Sequence, residues 1–350
     1  MKRLFLLALI LLSSLCAGLY TFIPNVSFSF GSFSLSMPKV IHQPEVEVVQ
    51  KKKVLFVGDV MLARDVEELM EKYGVHYPFT RLPKLEADTY LVGNFEASIP
   101  VAHVQTEDLQ FSFSVSPIYL AGLSTYGFTH LGLANNHSYD FGGANFNNTV
   151  SEISKASMVP FGNPNNFSST TIPLIHVGST TVALLGVYGV NVTVNEEAIK
   201  KSIQEVSKIS DIQIVYVHWG TEYKRMHDQA QERLAHSLID AGADVIIGHH
   251  PHVVQDIERY KNAIIFYSLG NFIFDQYFSK EVQEGLAIEM SISSSTTTIF
   301  SLLPVTSIGS RVVPSYMSSY EKDAFLHELS KDSDVELTDM IAKGRIQTGL

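Results

Sequence analysis

The sequence predicts an α/β domain on a mixed or parallel sheet, preceded by a membrane-spanning helix. Three observations predict it. Apolar runs of strand length recur along the chain, and each ends in polar, chemically capable residues: VLFVGD (54–59), TYLVGNFE (89–96), HLGLANNH (130–137), IQIVYVHWG (212–220), ADVIIGHHPH (243–252) and AIIFYSLGNF (263–272). Helical stretches lie between several of these runs, the alternation that builds an α/β sheet. The chain also opens with an uncharged apolar stretch from Leu4 to Ile23, behind Lys2 and Arg3. Its length is close to the ~20 residues a bilayer-crossing helix needs.

Taken in order, residues 1–23 read as a signal-anchor. The basic end stays in the cytoplasm and the rest is placed outside. The expected localisation is therefore the cell membrane, single-pass, with the domain outside the cytoplasm. A cleaved signal peptide, leaving a secreted protein, stays open because small residues occur near Ser14, Cys16 and Ala17. A lipoprotein fits less well, since Leu15 precedes Cys16 where a small residue is expected. Residues 24–52 read as a linker, rich in Ser, Phe, Pro and Val and ending in QKKK; the alternation in SFSFGSFSLS would also suit a strand. The folded domain is predicted over 53–310. Its strands show few polar alternations and so are buried on both faces. Helices are predicted at RDVEELMEKYG, ending at Gly74, at ANFNNTVSEISKAS, and at DQAQERLAHSLIDAGA, with Gly242 as the stop. VALLGVYGV (182–190) is a further strand without a polar cluster. Residues 285–306 read as antiparallel strands, and 311–350 as a helical tail or cap.

Composition narrows the function. The 350 residues are 45% hydrophobic and 17% charged, with a net charge of −11. That balance argues against nucleic acid as a partner, which calls for a basic face. Cys16 is the one cysteine, so the chain forms no internal disulfide and no Cys-based zinc site. A metal must be held by His, Asp, Glu or Asn.

Ligands in open α/β sheets sit outside the carboxyl ends of the strands, which is where the polar clusters fall. GHHPH crowds His249, His250 and His252 behind Gly248. If the chain stays extended, His250 and His252 share one side and His249 faces the other. Either His249 or His250 could pair with His252. Imidazole suits Zn, Mn and Fe. His218 ends another strand; alone it would more readily be a core histidine. Asp59, Glu96 and Asn136 end three more, and His137 follows as a candidate general acid. Asn94, Asn135 and Asp140 stand in the same clusters. The candidate ligands Asp59, Glu96, Asn136, His218, His250 and His252 exceed what one ordinary zinc site takes. They suit two metals sharing a carboxylate, ~3.5–4 Å apart, which clamp a phosphoryl oxygen. Arg64 is placed to reach an anionic group, or else opens a surface helix.

Those motifs in that order resemble the calcineurin-like metallophosphoesterase superfamily. VGDVMLAR, GNFE, LANNHSYDFG, VHWGTEY, DVIIGHHPHV and IIFYSLGNFIFDQ are more closely similar to the CapA family of capsule-biosynthesis proteins, called PgsA in poly-γ-glutamate systems. The resemblance implies a four-layer α/β/β/α sandwich of the metallo-dependent phosphatase type. It implies a role in making or exporting poly-γ-glutamate or another anionic polymer, with membrane-embedded capsule synthesis and export proteins as partners. It places Asp59, Glu96, Asn136, His218, His250 and His252 at metal positions, His137 at the leaving-group acid, and one or two divalent ions (Mn, Zn or Fe) as cofactor. Two departures stand out. Met61 occupies the His position of the superfamily's Asp-x-His, and Glu96 stands where that pattern carries Asp. They predict that one metal position is weakened. An extracytoplasmic phosphoesterase or related hydrolase is the alternative function, and a domain that only binds is a third.

Overall fold

A computed structural model describes residues 51–107, 111–165, 167, 172–294 and 297–349. The segments expected as a membrane helix (1–23) and as most of the linker (24–52) lie outside the described residues. Among those described, no helix is long and apolar enough to cross a membrane.

The elements run β1 (Lys53–Val60), α1 (Arg64–Tyr73), β2 (Thr89–Phe95), α2 (Leu120–Tyr126), β3 (His130–Gly132), α3 (Gly143–Lys155), β4 (Val159–Phe161), β5 (Leu174–Val177), β6 (Thr180–Tyr188) and α4 (Glu196–Val206). They continue with β7 (Ile212–His218), α5 (Gln229–Asp240), β8 (Val245–His249), β9 (Ile257–Tyr260), β10 (Ala263–Phe266), β11 (Asn271–Ile273) and β12 (Glu284–Ser294). The chain closes with β13 (Thr297–Thr306), β14 (Ser315–Tyr316), α6 (Ser319–Asp332), α7 (Thr338–Ala342) and β15 (Arg345–Thr348).

These strands form two mixed sheets. The nine-stranded sheet has the order β14-β13-β12-β1-β2-β3-β4, with β11 also on β1 and β15 on β13. The six-stranded sheet has the order β5-β6-β7-β8-β10-β9. Strands β1 to β4 are parallel, as are β6, β7, β8 and β10. The uncharged runs make sense because both faces of each sheet are covered. Along β1, Val54 and Phe56 point into the core between the sheets, while Leu55 and Val57 pack under α1 to α3. Along β7, Ile214 and Tyr216 face the inter-sheet core, while Val215 and Val217 pack with the residues of α4 and α5. Helix, sheet, sheet and helix thus stack as four layers.

Local signals explain the helices. Asp228 accepts from the N–H groups of Ala230 and Gln231, and the Gln231 side chain returns to the Asp228 N–H, a reciprocal cap that starts α5. Leu234, Ala235, Leu238 and Ile239 then face inward, and Gly242 at φ +113° ends the run. Helix α4 was not anticipated, although Ile199, Ile203 and Val206 carry its helical period. Residues 311–350, expected as a helical tail or cap, contribute α6 and α7 but also strands β14 and β15 on β13. Leu326, Leu329, Ile341 and Ile346 enter the inter-sheet core, so this stretch helps close the sandwich.

His130 on β3 carries a stability prediction. Burial holds its pKa down, from 6.5 to about 4. The unfolded chain therefore takes up this proton first as pH falls. Stability from this group is full above pH 6.5 and lost progressively as pH drops towards 4, by up to ~3 kcal/mol. Chemical denaturation of a His130→Gln variant should show a flatter acid limb than the wild type; parallel profiles would refute this.

Candidate metal centre

Each candidate side chain arrives at the carboxyl end of a parallel strand. Asp59 ends β1, where its N–H donates to the Gly270 carbonyl at 2.9 Å. Glu96 follows β2, its N–H on the Val60 carbonyl at 2.9 Å. Asn135, Asn136 and His137 follow β3. His218 ends β7 and His249 ends β8. The two sheets thereby bring residues from 59 to 252 into one buried cluster; Asp59 and Glu96 are fully buried, and His218, His250 and His252 nearly so.

The extended geometry expected through GHHPH does not hold. Strand β8 stops at His249, and the chain turns through the left-handed region at His250 (φ +95°) and His252 (φ +58°). Backbone in this region costs ~1–3 kcal/mol per residue and persists where its surroundings impose it. The turn separates the three imidazoles by role. His249 Nδ1 lies 3.1 Å from Asp59 Oδ1, and its ring packs on Tyr216 at 4.2 Å. His250 and His252 instead share a group with Glu96, one ligand atom from each lying within 4.8 Å of the others. In a second group, Asp59, Glu96 and His218, one ligand atom from each again lies within 4.8 Å of the others. The structure thus places His250, not His249, beside His252.

Glu96 Oε1 is the hub. His252 Nε2 lies 3.7 Å away, His137 Nε2 3.8 Å and His218 Nε2 3.9 Å. These are too long for hydrogen bonds. For His252 Nε2 the spacing matches the roughly 3–4 Å between atoms that share one ion at ~2.1 Å. Glu96 Oε1 and His250 Nδ1 are buried without a hydrogen-bond partner, a cost of ~1–3 kcal/mol each that a bound cation would relieve. Burial pushes the Glu96 carboxyl well above the usual range, and the Asp59 charge adds to this. Burial opposes ionisation of Asp59 too, but hydrogen bonds from His249 and His252 hold it well below that range. Burial drives His250 down to about 4 and His218 well down, leaving both neutral. Burial works against His252 as well, yet Glu96 and Asp59 raise it to about 9. The residues therefore fit a divalent cation: two buried carboxyl groups, an uncharged His250, and in Glu96 Oε1 and His250 Nδ1 two lone pairs with no other use.

The other expected residues fall as follows. Asn136 Oδ1 is 2.7 Å from His218 Nε2. His137 Nδ1 is 3.0 Å from Asp140 Oδ2, which leaves Nε2 facing Glu96. Arg64 opens α1 and sits one aromatic layer out. Its guanidinium pairs with Asp275, Nε to Oδ2 at 3.0 Å, and lies 4.7 Å over Phe113, whose ring packs against His137 with centroids 4.1 Å apart. Met61 turns away from the centre. Its sulfur accepts from the Ala63 N–H at 3.0 Å, and its side chain packs into the core under α1 to α3.

Sequence reasoning underweighted two asparagines. Asn94 Nδ2 lies 2.8 Å from Asp59 Oδ1 and 3.2 Å from His218 Nδ1. Asn271 Oδ1 lies 3.0 Å from His252 Nδ1, which orients that ring. Both follow a glycine, as Asp59 does.

Fold and centre together define a two-sheet α/β/β/α domain with a carboxylate–histidine metal-type cluster at the strand ends. The model of the bacterial capsule synthesis protein family PGA_cap matches residues 53–276, and the chain belongs to that family. It is 32% identical over 306 residues to a capsule biosynthesis protein CapA of Bacillus anthracis, covering 81% of this chain and 74% of the relative. It is 31% identical over 296 residues to a PGA biosynthesis protein CapA of Bacillus subtilis, covering 80% and 78%. Among solved structures, a hypothetical protein from Thermus thermophilus aligns with a TM-score of 0.46 at 18% identity, covering 76% of this chain and 98% of that one.

Proposed function

We propose that the chain is a membrane-anchored, extracytoplasmic component of poly-γ-glutamate capsule assembly, working beside membrane-embedded proteins that polymerise or export the polymer. One observation carries this reading. The family match spans 53–276, the stretch that supplies every residue of the centre from Asp59 to Asn271. Polymer and protein are both anionic, the chain at −11, so contact between them needs a local positive element. A divalent ion would supply that charge and polarise a bound oxygen. Glu96, His250 and His252 would hold it. Phe113 and Phe274 lie against His137 and His252, with ring centroids 4.1 and 4.8 Å apart. The anchor is the apolar segment 4–23.

The alternative is a metal-dependent phosphoesterase or related hydrolase, favoured by the His137–Asp140 pair. Asp140 accepts from His137 Nδ1–H, so Nε2 is the atom that would take up a proton and pass it to a leaving group. The test is deletion of the gene in a polymer-making host, complemented with wild type or with His137→Ala. Deletion should abolish surface polymer, and unchanged polymer would refute the capsule role. Turnover of phosphate esters by the purified chain with Mn²⁺, lost in His137→Ala, would select the hydrolase reading.

A further inference from the structure

We propose that the centre holds one divalent ion rather than two, because a directed chain of hydrogen bonds through Asn94 fills the second position with an amide N–H group. The inference rests on the metal-centre reading above.

The direction of the chain is fixed at its start. The His137 backbone N–H, which can only donate, donates to Asn135 Oδ1 at 3.1 Å, and the Ser138 hydroxyl donates to the same oxygen at 2.9 Å. Asn135 must then present its NH₂ on the other side. That group donates to Asn94 Oδ1 at 3.1 Å and to the Phe95 carbonyl at 2.8 Å. With its oxygen so engaged, Asn94 turns its own NH₂ to the centre. There it meets Asp59 Oδ1 at 2.8 Å, His218 Nδ1 at 3.2 Å and Glu96 Oε2 at 3.5 Å. His218 Nδ1 therefore accepts, the ring proton sits on Nε2, and it donates to Asn136 Oδ1 at 2.7 Å.

The consequence separates the two ligand groups. In the Asp59, Glu96 and His218 group, the Asn94 NH₂ lies within 3.5 Å of an atom of each of the three residues, and both His218 nitrogens have partners. A cation there would face the positive end of an amide dipole. Turning the Asn94 amide over would set its NH₂ against that of Asn135, which a backbone N–H holds in place. The Glu96, His250 and His252 group has the amide only at the shared Glu96, and it alone of the two contains the partnerless His250 Nδ1; Glu96 Oε1, also partnerless, is common to both. Met61, with its sulfur capped by Ala63, offers nothing to the filled side.

The test is a metal count on the purified full chain reconstituted with Mn²⁺, combined with electron paramagnetic resonance, and repeated on Asn94→Asp. A carboxylate at 94 can still accept from Asn135 while offering its second oxygen to the centre, which frees His218. The expected result is one equivalent with an isolated-ion spectrum in the wild type, and two equivalents with an exchange-coupled spectrum in Asn94→Asp. Two coupled ions in the wild type would overturn the inference and leave the metal-centre reading standing. One ion in both proteins would overturn the role given to Asn94. No ion in either would overturn the metal centre and the inference with it. If Asn94→Asp does not fold, the wild-type count and spectrum decide the matter.

Discussion

A chain carrying His250→Ala and His252→Ala should lose its divalent ion and keep its fold. Altering a group that only orients a ligand costs ~10–100-fold in metal affinity; deleting two ligands outright should exceed ~100-fold. The apoprotein is not expected to suffer in proportion. His250 Nδ1 is buried without a partner, so its removal relieves about as much as the lost packing costs. His252 does bond Asp59 and Asn271, but Asp59 keeps His249 and Asn94. We expect the two metal-free proteins to agree in stability to within ~2 kcal/mol. Added Mn²⁺ is the discriminating condition. At a concentration 100 times Kd, a bound ion stabilises the wild type by ~2.7 kcal/mol, and a chain without the site gains nothing. Thermal unfolding with and without Mn²⁺ reads this directly. Equal metal-dependent shifts in the two proteins would show that the ion is held elsewhere.

The same residues show what a sequence discloses and what it withholds. The long strands were legible because burial on both faces removes polar alternation, and the cluster was legible because each of its polar side chains stands at the end of such a run. Asp59, Glu96, His218, His250 and His252 needed no more than that. The short strands β4, β5, β9, β14 and β15 were not legible, since two to four residues carry too little period to distinguish. Helix α4 carried its period but no chemistry, and went unread. The split of GHHPH depended on where β8 stops. Extended geometry pairs His250 with His252 by alternation, whereas the structure pairs them by two left-handed turns. The direction of the Asn94 amide was out of reach for a different reason. It is set by Asn135, which a backbone N–H in the loop after β3 orients, and no local pattern records a proton's direction.

Gly248→Ala should be among the most damaging single changes in the domain, and its effect should reach the metal. A Cβ at 248 would stand 1.9 Å from the Tyr267 carbonyl oxygen and 2.6 Å from Trp219 Nε1. The indole is fully buried and donates to that same carbonyl at 2.9 Å. Neither neighbour can step aside: one is the backbone running out of β10, the other fills the core under α4 and α5. Strands β8 and β10 must separate, at the upper end of the ~1–3 kcal/mol range for overpacking or beyond it. Because His249, His250 and His252 follow at once, the displacement passes into the centre. Gly58, before Asp59, is its counterpart on the other sheet, with a Cβ 1.9 Å from the Gly270 oxygen. Gly143→Ala is the control. It opens α3, meets nothing closer than a Tyr139 ring carbon at 3.7 Å, and should be neutral or stabilising by up to ~1 kcal/mol. Urea midpoints and metal counts on the three variants test this together. We expect both quantities to fall for Gly248→Ala and Gly58→Ala and to hold for Gly143→Ala. A wild-type midpoint in Gly248→Ala would mean that the strand ends are loose enough to admit a methyl group, and a centre built on loose ends could not hold its ligands in the spacing described.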